Sequence, residues 1–453
     1  MKSMGVDVDS VREYVRRHRL RHEQELADWI AVPSVSATGE GMEQATPYAR
    51  ELLERSGLSS RVVETGGWPL VVGHVAGPAD TPHVVIYGHY DVQPAGPLEE
   101  WHSPPFKAIV REGRMYGRGT GDNKGQHLAQ LLALRALRDI HGGPPCSVTV
   151  VLDGEEEIGS PHLTGTLAAI REDLAADLAV WSDGPVHDSY EPTVALGVRG
   201  VVAFEITVRG ANSALHSGNW GNVAPNPAWE LIWLLSTMRG PDGQVTVDGY
   251  DAGVTPLTDA ELDAVRALPI DPAAMLAEAG LDRMDTGRGQ DVNERLAMPT
   301  FSINSLTCMD NDEHRTVIPS VAVARCDMRL ACGQRVETVI DAVRAHVGKH
   351  LPHAELRFGA TMEASRTLPD APYADLVLRG VTEAHGKQAL AVPAMGGSLP
   401  IAALTDGLAL PCYGIALANV DERNHAPNEN LELHRFHQGI VTAASVLSSI
   451  GRR

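Results

Sequence analysis

Three apolar runs in this chain each end on a carboxylate or a histidine, and that repeated ending constrains the fold more than any other feature. His83-Val-Val-Ile-Tyr87 leads into Gly88-His89-Tyr90-Asp91. Ser147-Val-Thr-Val-Val-Leu152 leads into Asp153 and then Glu155-Glu156-Glu157. Leu178-Ala-Val-Trp181 leads into Ser182-Asp183. Short runs this apolar suit strands buried on both faces, as in a sheet covered by helices. Open sheets of that kind place their sites beyond the carboxyl ends of the strands.

The segments between the runs supply the helices. Val11 to Ile30 reads as an amphipathic helix with Asp9 or Ser10 as N-cap and Pro33 ending it, and Met42 to Gly57 as a second. Pro69–Val75 reads as a strand. Gly125 to Ile140 carries small and apolar residues at helical core spacing. Strand and helix in alternation mean an α/β layered domain.

The grammar changes near residue 199. Gly200 to Arg209 and Ala322 to Leu330 alternate like half-exposed strands. Helical patterns cover Pro227–Met238 and Glu337–His350, and the stretch 247–291 is an excursion rich in Asp, Gly and Pro. Buried-strand grammar returns at Ala391–Val392 and Leu408–Tyr413, and a last helix spans Leu433–Ile450. The expected architecture is α/β: a large catalytic domain, a mixed sheet with helices on both faces, built from residues 1–198 and 365–453. A smaller α+β lid and dimerisation domain at 199–364 interrupts it.

Charge narrows the partners. The 453 residues carry 38 basic and 58 acidic side chains, a net charge of −20. Such a surface repels phosphate backbones and anionic lipid, so neither nucleic acid nor membrane partners are expected. The five cysteines form no CxxC pair, which fits reduced thiols. The charged N-terminal stretch reads as neither signal peptide nor anchor, and the expected location is the cytoplasm.

The polar endings point to cation chemistry. His89 and Asp91 stand at i and i+2, so both leave one strand face. His89 can ligate while Asp91 accepts its other ring N–H, or the pair is a turn histidine with a capping aspartate. Asp122 follows glycines 117, 119 and 121 and precedes a helix. It is either an N-cap or a carboxylate free to bridge two metals; a phosphate loop is excluded because GxxxxGK[ST] is absent. Adjacent glutamates at 155–157 can divide labour, one ligating and one moving protons. Asp183 closes the third run, and His425 lies on the polar stretch VDERNHAPNE.

Taken with GHYDVQP, WHSPPF, GRGTGDNKG, DGEEEIGS, LHSGNWG, RTVIPS and GGSLP in that order, these residues resemble the M20 family of metallopeptidases over nearly the whole chain. WHSPPF and RTVIPS bring it nearest the carnosinase-like branch. The resemblance implies that His89 and Asp183 bind one metal, Glu157 and His425 a second, and that Asp122 bridges both across a cis Asp122–Asn123 peptide. It implies that Asp91 orients His89 and that Glu156 is the general base, with Glu155 at a variable position. His216 resembles the histidine that enters the neighbouring subunit's active site to stabilise the oxyanion, with Asn219 beside it. Arg329, Gly396, Gly397 and Ser398 would hold the substrate carboxylate. Ala394-Met395 departs from the family's usual Arg-Glu, which removes a charged pair near the substrate.

The resemblance thus implies metal-dependent hydrolysis of an amide in a dipeptide or similar small carboxylate-bearing peptide, by a homodimer. Two divalent ions are implied, Zn2+ first, with Mn2+ or Co2+ accepted by the same ligands. Alternatives are hydrolysis of N-acyl or N-carbamoyl amino acids, action on a specialised metabolite, and a non-catalytic metal-binding scaffold.

Overall fold

The computed structural model describes residues 7–285, 292–308 and 315–452. The end of the expected 247–291 excursion lies outside them. The first helix, α1 (Val8–Ile30), starts earlier than its sequence indicates. Asp7, not Asp9 or Ser10, is the N-cap, because its side chain accepts the Asp9 N–H. Helix α2 (Met42–Arg55) follows, then strands β1 (Ser59–Val63), β2 (Leu70–Val75) and β3 (His83–His89). Helix α3 (Lys124–His141), β4 (Ser147–Asp153), β5 (Leu178–Trp181) and β6 (Thr193–Ala195) complete the first segment of the large sheet.

The chain then builds β7 (Gly200–Arg209), α4 (Pro227–Met238), α5 (Asp259–Ala267), β8 (Thr300–Thr307), β9 (Val321–Leu330), α6 (Val336–His350) and β10 (Glu355–Met362). Helix α7 (Ala374–His385), β11 (Leu390–Val392), β12 (Cys412–Gly414) and α8 (Leu433–Ile450) return to the first sheet. The last strand is shorter than the run Leu408–Tyr413 indicates, since Ala409 adopts a left-handed φ of 59° that breaks the extended backbone.

The large sheet has the order β1-β2-β4-β3-β5-β12-β6-β11. Its centre, β4-β3-β5-β12, is parallel, with His89 opposite Asp153 and Tyr87 opposite Trp181. The parallel register brings the ends of all three apolar runs to one edge. Helix α3 lies between this sheet and α1 and α8; every residue from Lys124 to Leu137 is buried, so it is a core helix on all sides. Leu163, Leu167 and Leu404 cover the opposite face. Each fully buried aliphatic side chain here contributes about 1.5–3 kcal/mol against exposure.

The second sheet, β8-β9-β7-β10, is antiparallel throughout. Helices α4 and α6 pack against it around a separate core that includes Ile206, Leu234, Met328 and Val343. Its edge strands β8 and β10 are exposed along much of their length, and β10 alternates only over residues 355–359, a shorter signal than the ten residues of β7 and β9. The chain leaves the first sheet at Gly197–Val198 and returns at Ser365–Arg366, and these two crossings pair antiparallel. No helix among the described residues is long and apolar enough to cross a membrane.

Candidate metal centre

His89 is the last residue of β3 and fully buried. Its Nε2 lies 3.1 Å from Asp122 Oδ1 and 3.3 Å from Asp183 Oδ2. On the other side of Asp122, Oδ2 is 3.0 Å from His425 Nε2, which in turn is 3.2 Å from Glu157 Oε2. Two groups of three ligand atoms therefore share one carboxylate: His89, Asp122 and Asp183, then Asp122, Glu157 and His425. The Asp122–Asn123 peptide is cis.

Each ligand is held from behind. His89 Nδ1 is 3.2 Å from Asp91 Oδ1, and the Asp91 carboxylate also accepts the backbone N–H groups of Glu156 and Glu157 at 3.2 and 3.0 Å. Gln93 donates to Glu157 from its backbone and its side-chain amide. Asn123 donates to the Ser182 carbonyl, next to Asp183, and accepts the His89 N–H. A substituted Gly121 would drive its Cβ to 2.1 Å from Glu422 Oε2, so the loop needs the missing side chain.

Three supports escaped the sequence reading. Glu429 accepts the N–H groups of Gly119, Gly121 and Asp122 at 3.0, 3.0 and 3.1 Å, and Arg118 donates to it at 2.7 Å. It stands four residues past His425, in the stretch already singled out. Buried Lys124 donates to the carbonyls of Trp29 and Val32 and lies over the Trp29 ring, tying the start of α3 to the end of α1. Glu155, at the expected variable position, is buried and bonded to the Trp68 N–H and His162. Apart from His162, seven residues past Glu155, these partners lie far away in the chain, and only the fold reveals them.

The electrostatics are those of an anionic pocket. Burial, together with the neighbouring Asp122 charge, raises Glu157 to about 7 and raises Asp183. Burial pushes Glu156 well above the usual carboxylate range, with Glu157, Asp183 and Asp122 adding to it. Asp122 is held low by its hydrogen bonds to His425 and His89, which outweigh its burial. The bonds to Asp122 and Glu157 draw His425 up to about 11. Buried charges need pairing or a metal. Imidazole nitrogens and carboxylate oxygens in two sets of three, with acidic charge in excess, fit divalent cations of the zinc, manganese and cobalt kind. The Glu156 carboxylate makes no hydrogen bond among the described residues and stands free beside the ligands.

Elsewhere, Arg329 Nη1 donates to Ser398 Oγ at 2.8 Å. Gly396 offers its carbonyl to Arg199 Nη2 at 2.8 Å, and the Arg199 N–H donates to the Gly397 carbonyl. Burial, helped by Arg329, pushes Arg199 down to about 10; this second arginine was not anticipated. His216 and Asn219 do not join the cluster. His216 is exposed, pairs opposite Val317 and accepts the Gly218 N–H, and Asn219 is exposed in the next turn.

With this geometry in place, comparison with known proteins is decisive. The profile of peptidase family M20/M25/M40 matches residues 85–449. The chain belongs to this family. As an M20 protein it is a hydrolase, which sets aside the scaffold alternative. The chain is 27% identical to the Cys-Gly metallodipeptidase dug1 of Schizosaccharomyces pombe, covering 96% of this chain and 97% of that protein. It is 25% identical to the cysteinylglycine-S-conjugate dipeptidase of Corynebacterium striatum, covering 96% of each. Among solved structures, the M20 family metallo-carboxypeptidase Sso-CP2 of Sulfolobus solfataricus superposes with a TM-score of 0.86 at 26% identity, covering 95% of this chain and 99% of that one. The mixed sheet and second α+β sheet are thus an M20 fold.

Proposed function

We propose that the protein hydrolyses the amide bond of a dipeptide or a similar small carboxylate-bearing peptide, using two divalent cations, Zn2+ in the first place. The observation that carries this is Asp122, whose two oxygens reach His89 and His425 at 3.1 and 3.0 Å. His89 and Asp183 would hold one cation and Glu157 and His425 the other, with Asp122 shared between the two groups. Such a pair, when bound, acidifies a water and polarises a carbonyl. Asp91 keeps His89 in the tautomer that presents Nε2. Glu156 takes the proton of the attacking water and passes it to the leaving amine. Arg329 and Ser398, with the Gly396–Gly397 backbone, bind the substrate carboxylate as a fork of charge-assisted donors.

His216 and Asn219 act from a second subunit, with His216 donating to the oxyanion. What supports a homodimer is an exposed apolar surface on the second sheet. Trp229 and Trp233 of α4 are 55% and 61% exposed with rings 5.9 Å apart, and the edge strand β8 exposes Ile303 and Leu306. An unpaired apolar edge is a template for a second chain. The segment 199–364 then serves as lid and dimerisation domain.

Hydrolysis of N-acyl or N-carbamoyl amino acids is a second reading, favoured by the apolar Met395 whose Cε lies beside Gly184. A panel of dipeptides and N-acyl amino acids, assayed on stripped protein with Zn2+, Mn2+ or Co2+ restored, tests both. No turnover with any metal overturns the proposal.

A further inference from the structure

A cavity of about 150 Å³ opens beside Pro185 and Gly396. Val265, Leu268 and Leu296 line it from the second segment, and Val392, Met395 and Ala416 from the large-sheet side. Pro185, two residues past the proposed ligand Asp183, is among the lining residues. Met395 Cε sits 3.2 Å from where a Cβ on the intervening Gly184 would stand. Gly396 lines it too, in the loop whose Ser398 accepts from Arg329.

We propose that this recess receives the side chain on the acyl half of the substrate, and that it selects uncharged apolar groups up to about the size of a phenyl ring. The inference rests on the amide-hydrolase reading above. A scissile carbonyl at the cluster has its leaving half directed to Arg329 and Ser398, which leaves the acyl half facing Gly184 and the recess beyond it. A cavity of this size accommodates a benzene ring, and its lining is mostly aliphatic, with Thr193 and Asn293 the neutral polar exceptions among the described residues. Among the described residues Asp188 is the one carboxylate lining it, and it is exposed, while His187 spends Nδ1 on Ser189. Away from exposed Asp188, a charged side chain inside would lose water and meet no opposite charge among the described lining residues. Met395, half-buried between Gly184 and the recess, is the specificity-determining residue.

The test is kcat/KM on metal-loaded protein for Leu-Gly and Phe-Gly against Lys-Gly and Glu-Gly, which share one leaving group. The apolar pair should exceed the charged pair by roughly 10–200-fold, the range a shaped apolar pocket delivers. Met395→Glu should shrink that ratio and raise Lys-Gly relative to Leu-Gly. Ala416→Leu, which fills the recess, should lower Phe-Gly at least about tenfold relative to Ala-Gly. Equal turnover of all four substrates, or ratios unmoved in both variants, overturns the recess and leaves the amide-hydrolase reading standing. If no substrate is cleaved, that reading fails, and calorimetry judges the recess alone. N-isovaleryl-glycine should then bind more tightly than N-(4-aminobutanoyl)-glycine, with the preference lost in Ala416→Leu; equal binding refutes it.

Discussion

Asp91 joins two functions through one carboxylate: it lies 3.2 Å from His89 Nδ1 and holds the backbone N–H groups of Glu156 and Glu157. The His89 ring, proposed to ligate, and the turn that carries Glu156, the proposed base, are thereby set relative to each other. Asp91→Asn replaces one acceptor oxygen by a donor that faces other donors. Metal affinity or activity should fall about 10–100-fold, read by titration with a chelator competitor. Unchanged affinity and turnover would show that the contact does not orient His89.

The Glu156 carboxylate makes no hydrogen bond among the described residues. Glu156→Gln keeps the shape and removes the proton acceptor. Turnover should fall at least about 10²–10⁴-fold while metal content, measured by elemental analysis, stays at the wild-type level. Retained turnover would assign the proton transfer elsewhere.

Glu429 and Arg118 form an ion pair with both side chains buried. Glu429→Ala strands the guanidinium and three backbone N–H groups of the Asp122 loop. The expected loss is about 3–5 kcal/mol in denaturant unfolding, with weaker metal binding because Asp122 is no longer held. A loss below about 1 kcal/mol would mean that water replaces the carboxylate there.

His22 and His437 are pushed down to about 4, chiefly by burial. The unfolded chain takes up protons at both near pH 6.5, while the folded chain stays neutral there down to about 4. Stability from this source is complete above about pH 6.5 and is lost as pH falls toward 4. The urea midpoint should drop between pH 7 and pH 5, and His22→Gln should flatten that slope. An equal slope in the variant contradicts the assignment.

A histidine working across a dimer gives a complementation result. His216→Ala and Glu156→Ala should each be inactive alone. Mixed after subunit exchange, they should recover activity toward about a quarter of wild type, since one site in each heterodimer is whole. No recovery from a demonstrated heterodimer would place His216 outside the site.

Much was legible from chain order alone, and for a local reason. A buried strand shows its apolar run in consecutive residues, and the side chain at its end is necessarily the next one along. His89, Glu157 and Asp183 were visible in that way, and the chemistry of their donor atoms already pointed to cations. Glycines 117, 119 and 121 marked the Asp122 loop, and strict alternation marked β7 and β9. What the order of residues could not hold is distance between segments. Asp122 meets His425 across 303 positions, Glu429 closes the loop of Gly119 and Gly121 from the far end of the chain, and Arg199 secures the loop at Gly396. The edge strands β8 and β10 are exposed along much of their length, so alternation marks them only briefly and pairing defines their extent. Those relationships arise from the parallel register of β3, β4 and β5 and from the return of the chain at Ser365–Arg366. A side chain's partner there is chosen by packing of the whole molecule, not by its neighbours in the chain.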